Sequence, residues 1–230
     1  MTSASKPNPL IEIAVTVIVP ALVLMKLSGE QQLGSLNALL LALAFPLAWG
    51  LRDALVKRKL SWLAVLGVVS TLLTGGIGLL QLDASWLAVK EAAVPALIGL
   101  VVLGSMATRR PLIRVLVFNP DLFDVPRVQQ ALAERQSAPA FEARLRASTL
   151  MLAGTFFFSA TANYVLARWV VRSPAGSSAF NEELGRLTLL SYPVIAIPSM
   201  VMMGLLMFWL AREVRSLTGL PISQLLRTGA

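Results

Sequence analysis

Five polar residues stand where chemistry would be least expected, inside or at the rims of long apolar runs: Lys26, Thr74, Lys90, Glu91 and Asn163. Charge within an apolar run is costly and faces protein or water rather than lipid, so it marks the first place to look for function. Together these residues could seat a polar or charged ligand. Carboxylates such as Glu91 and Asp83 could serve acid–base work, but no partner nucleophile or metal set accompanies them. The sequence has no cysteine and no histidine. That excludes disulfides, thiol nucleophiles, Cys/His metal centres and an imidazole proton switch. Met200, Met202, Met203 and Met207 read as adaptable packing, since thioethers alone make a poor metal site outside Cu(I) chemistry. The expectation is a protein without enzymatic activity, cofactor or metal.

The remaining residues of note have structural readings. Gly75, Gly76 and Gly78 mark close approach between helices, because glycine in an apolar helix lets backbones meet. A phosphate loop would need a neighbouring lysine and a preceding strand, and neither is present. Pro193 and Pro198 should bend the last apolar run and free the carbonyls of Leu189 and Val194. Glu12 stands near a helix N-terminus, where the macrodipole favours an anion.

The elements that must position these groups are membrane spans. Of 230 residues, 56% are hydrophobic and the mean hydropathy is +0.73, above the roughly 45–50% apolar content of soluble domains. The net charge of +8 does not point to nucleic acid, because the basic residues sit at the ends of apolar runs rather than on one amphipathic face. Six spans are expected, at about 9–27, 33–51, 62–80, 86–106, 148–171 and 187–210, in one all-α polytopic membrane domain covering 1–230. Asn8-Pro9 opens the first as an N-cap and N1 proline. A secretory signal is the competing reading, rejected because the run is long enough to span and no small-x-small cleavage site follows it. Between spans four and five, 107–147 mixes apolar residues with Arg114, Arg127, Arg135, Arg144 and Arg146, as short amphipathic helices at the inner membrane face would. With both termini inside, 15 of the 20 lysines and arginines fall on the inner side, the bias that sets N-in, C-in orientation.

That topology gives the five polar residues a shared depth, at about 1.5 Å of rise per residue. Lys26 lies at the outer end of span one and Thr74 in the outer half of span three. Lys90 and Glu91 lie about one turn inside the outer end of span four, and Asn163 in the outer third of span five. One account is an outward-facing polar pocket, with Glu91 paired to Lys26 or Lys90 and Asn163 bridging helices. The plainer account has both lysines snorkelling to the headgroups, Glu91 at the wet rim, and Asn163 and Thr74 bonding neighbouring helices.

Several short patterns then converge on one family. Thr74-Gly75-Gly76, the Trp86…Lys90 opening of span four, the basic stop before Pro111-Leu112-Ile113, Phe156-Phe157 followed by Ala162-Asn163 in span five, and Lys26 near the end of span one resemble the intracellular septation protein A family of bacterial inner-membrane proteins. The resemblance covers most of the chain in order and spacing, and departs from it in a longer inner loop at Asn119 to Ala147. It implies an inner-membrane protein of envelope maintenance and septation, working through contacts with division or elongation proteins, and it carries over no catalytic residue. The expected partners are therefore the lipid bilayer and other inner-membrane proteins, with homo-oligomerisation left open. The alternative function is a small transporter or lipid-handling protein that uses the outer pocket.

Overall fold

The structure is a computed structural model that describes residues 9–57, 62–108, 112–117 and 125–221. Arg58 and Lys59, Arg109-Arg110-Pro111, Asn119-Pro120-Asp121, and the termini with Lys6 and Arg227 lie outside the described residues. Every regular element among the described residues is helical: α1 Pro9–Ile13, α2 Val19–Leu27, α3 Gly34–Lys57, α4 Trp62–Leu79, α5 Ser85–Ser105, α6 Leu112–Val117, α7 Val125–Glu134, α8 Ala138–Val170, α9 Ser178–Ser191 and α10 Ile197–Thr218. Two π turns, Ala14–Ile18 and Tyr192–Ala196, join α1 to α2 and α9 to α10.

Five helical stretches are long and apolar enough to cross a membrane: Leu10–Leu27, Gly34–Asp53, Ser85–Ser105, Ala138–Val170 and Ser178–Thr218. A shorter apolar stretch, Gly67–Leu79, belongs to α4. The chain is thus built as a multi-pass membrane protein is.

Two boundaries differ from the sequence reading, each for a local reason. Span five is not a separate helix from the amphipathic segment, because α8 begins at Ala138 and runs on into the apolar stretch without a break. Pro139 stands in the first helical turn of α8, where its missing N–H costs no hydrogen bond. The polar segment before span six is mostly α9. The Ser177 side chain caps that helix by accepting from the Phe180 N–H at 3.1 Å, and Phe180, Leu184 and Leu187 recur at helical spacing on its buried face.

The π turns have a common cause. Each ends two residues before a proline, Pro20 in one case and Pro198 in the other. A proline ring in an α-helix collides with the carbonyl four residues back. Widening the turn relieves the collision, and the Val19 N–H accordingly reaches the Ala14 carbonyl, five residues back. Pro193 lies within the second π turn.

Contacts within the chain group into two compact units, Met1–Ala92 with Ala162–Ile195, and Ala93–Thr161 with Ala196–Ala230. In the first, α2 packs on α9 and α3, and α3 on α4. Its core gathers Leu24, Leu39, Ile77, Leu87, Phe180 and Leu184. The α3–α4 pair is antiparallel. A Cβ added at Gly75 would stand 2.6 Å from Leu43 Cδ1, and one at Gly78 would stand 2.6 Å from Leu39 Cδ2, so the close approach depends on both glycines. Gly76, between them, faces open space. The second unit packs α7 on α10 around Ile113, Phe141, Leu145, Leu206 and Leu210, tied by an Arg144–Glu213 ion pair at 3.0 Å and by Ser137 Oγ donating to the Leu217 carbonyl at 2.9 Å.

Candidate functional site

The turn between α4 and α5 sets the geometry of the polar cluster. Thr74 stands five residues before the end of α4 and Lys90 five residues after the start of α5. Each is therefore about 7.5 Å from its end of the turn, and a lysine on one helix reaches across to the hydroxyl on the other. Lys90 Nζ donates to Thr74 Oγ1 at 2.7 Å and to Ser70 Oγ at 3.2 Å, and pairs with Glu91 Oε1 at 2.7 Å. Two of the ammonium's three N–H donors thus have hydroxyl acceptors, and the Glu91 carboxylate stands beside it as counter-ion. The Thr74 hydroxyl proton is also engaged, with the Ser70 carbonyl at 3.1 Å. The Lys90 side chain is 11% exposed and Glu91 32%, so the carboxylate faces outward while the ammonium sits between the helices.

Of the five residues singled out from the sequence, the structure brings together Thr74, Lys90 and Glu91. Lys26 is exposed in the last turn of α2, and the carboxylate of Glu91 pairs with Lys90 instead. Asn163 is half-buried within α8. Ser70 also accepts from the ammonium and was missed, although it lies four residues before Thr74 on the same face of α4.

A second polar centre was also missed. Asn181, in the second turn of α9, is fully buried. Its Nδ2 donates to Ser28 Oγ at 3.1 Å and to the Ser35 carbonyl at 2.7 Å, tying α9 to both ends of the α2–α3 turn. Its Oδ1 has no hydrogen-bond partner. Nearby close packing is equally specific: a Cβ at Gly185 would stand 2.7 Å from the Ala21 carbonyl oxygen, so α9 and α2 meet through that glycine.

The α8–α9 turn is pinned by a carboxylate. Glu183 accepts from the backbone N–H groups of Arg172 at 2.9 Å and Ser173 at 2.8 Å, and from the Ser173 hydroxyl at 2.8 Å. In the α4–α5 turn, Asp83 is held below the ordinary carboxylate range by hydrogen bonds from the Ser85 hydroxyl and then the Ser85 N–H, with a smaller pull from Arg168. The two turns border an open polar cleft of about 780 Å³ that Gln81, Asp83, Arg168 and Arg172 help to line.

The described residues include no group of three or more His, Cys, Asp or Glu side chains placed to hold a metal ion. Compared with family models, curated proteins and solved structures, the chain matches none of them.

Proposed function

We propose that this chain is a non-enzymatic protein of the bacterial inner membrane that serves envelope maintenance and septation through helix contacts with other membrane proteins of division or elongation. It crosses the bilayer six times, with both termini in the cytoplasm. The sixth span is α4, whose 18 residues give about 27 Å of helix, close to the hydrocarbon thickness. The single observation that carries the functional reading is the set of partners around Lys90. An ammonium already held by Ser70, Thr74 and Glu91 works as a tie between α4 and α5. A ligand would have to displace one of those acceptors.

The test is alanine at Lys90, Glu91 or Asn163. The expected outcome is altered crosslinking to partner membrane proteins, or altered cell shape, with solute flux into proteoliposomes unchanged. A second reading, a small transporter or lipid-handling protein, is favoured by the two helices interrupted by π turns beside Pro20 and Pro198, since broken helices line transport paths in several transporter folds. Under that reading the same variants lose flux while staying folded. Thermal unfolding against lipids, envelope precursors and small anions separates the two from another side. A ligand of the folded state raises its apparent stability by mass action, and a shift of several degrees that disappears in Glu91→Ala would overturn the first reading.

A further inference from the structure

One face of α3 forms a groove of about 340 Å³. Leu41, Ala44, Phe45, Ala48 and Trp49 line it along α3, Val15 of the first π turn forms the facing wall, and Arg52 closes one end. Ala44 and Ala48, four residues apart, keep the floor low, while Phe45 and Trp49 raise one side. Apart from Arg52, every lining side chain is apolar.

We propose that this groove is a binding site for one anionic phospholipid, with an acyl chain lying along the floor and the headgroup phosphate on Arg52. The dimensions fit a single leaflet. From Leu41 to Arg52 is eleven residues, about 16 Å of helix rise, against about 15 Å for half the hydrocarbon core. Arg52 stands at the end of the apolar stretch Gly34–Asp53, at headgroup depth, while the Leu41 end reaches toward the midplane.

The chemistry of Arg52 selects the headgroup. Its guanidinium carbon lies over the Trp49 ring, 5.1 Å from the centroid, a cation–π contact. A guanidinium presents its N–H donors in a planar fork that matches two phosphate oxygens. Arg52 is exposed, and among the described residues no carboxylate pairs with it. Basic side chains at the headgroup level of interhelical grooves are recognition points for anionic lipids. By the orientation proposed above, the leaflet concerned is the inner one, but the site itself needs only that α3 cross the bilayer.

The experiment is native mass spectrometry of the full chain released from mild detergent, titrated separately with phosphatidylglycerol, phosphatidylcholine and glycerol phosphate. The expected result is retention of phosphatidylglycerol at about tenfold lower concentration than phosphatidylcholine, with no retention of glycerol phosphate. Arg52→Gln should abolish the preference between the two lipids, and Ala48→Phe, which fills the floor, should lower retention of both. Equal retention of the two lipids by the native chain, an unchanged preference in Arg52→Gln, or unchanged retention in folded Ala48→Phe would each overturn the proposal. Glycerol phosphate binding as tightly as the lipid would overturn it in favour of a soluble phosphate site. If Ala48→Phe does not fold, Arg52→Gln decides the matter, because that side chain is exposed and its replacement leaves the core untouched.

Discussion

Lys90 and Asn181 both hold helices together, and they do so under opposite conditions. The Lys90 ammonium joins α5 to α4 through two hydroxyls and is balanced by Glu91, still 32% exposed beside it. Asn181 joins α9 to the α2–α3 turn with no exposure at all and with one oxygen unmatched. The difference follows from the cost of failure. An unmet neutral carbonyl costs a few kcal/mol at most, whereas an unmet buried charge costs far more. The charge is therefore kept near the rim among its partners, and the amide takes the deeper position.

That contrast can be broken at several points. The largest effect is expected at Asn181→Ala, which removes both ties to the α2–α3 turn and leaves a cavity at a fully buried site, and should lower stability by about 2–3 kcal/mol, read as a fall in the detergent melting temperature. Lys90→Met should cost less, about 1–2 kcal/mol. Glu91→Gln in the same chain should restore part of that loss, since the stranded carboxylate is then neutral, and a double-mutant cycle measures the coupling. A full loss in the double variant would show that Lys90 acts by packing rather than by charge.

The glycines sharpen the same point without any charge. Gly78→Ala pushes a methyl into Leu39, which must turn aside, at a cost of about 1 kcal/mol. Gly76→Ala meets nothing and should be neutral or raise stability by up to about 1 kcal/mol. Opposite signs at positions two apart would locate the α3–α4 contact by melting temperature alone.

Glu183 gives the smallest effect. Glu183→Gln keeps a side-chain oxygen to accept from the Arg172 and Ser173 N–H groups and loses only the charge, so the melting temperature should fall only slightly.

Much of this was legible in the residues. Apolar runs gave five stretches long enough to cross a membrane, and a shorter one in α4, and counting rise from the helix ends brought Thr74 level with Lys90, which the hydrogen bond at 2.7 Å matches. Ser70 could have been found by the same count, four residues back on α4. Asn181 was hidden by composition, because SPAGSSAFNEELGR reads as a polar loop until the Ser177 cap and the spacing of Phe180, Leu184 and Leu187 are weighed together. The groove beside Arg52 had no signal in α3 alone, since its facing wall is Val15 from another helix.

The π turn at Ala14–Ile18 also sets a rotational phase. One residue more per turn than an α-helix needs means that everything before Ala14 is offset by about 100° from where an unbroken helix would place it. Deleting one residue between Ala14 and Ile18 would let the ladder close as ordinary α-helix up to the proline, and it would take away the same rotation that the wide turn already absorbs. α2 would keep its face toward α9, and α1 would keep its exposed Leu10 and Ile11 facing as they do. In most apolar helices the loss of a residue turns one end against the other. Here the wide turn holds that residue in reserve, and the segment can shorten by one position without re-aiming either end.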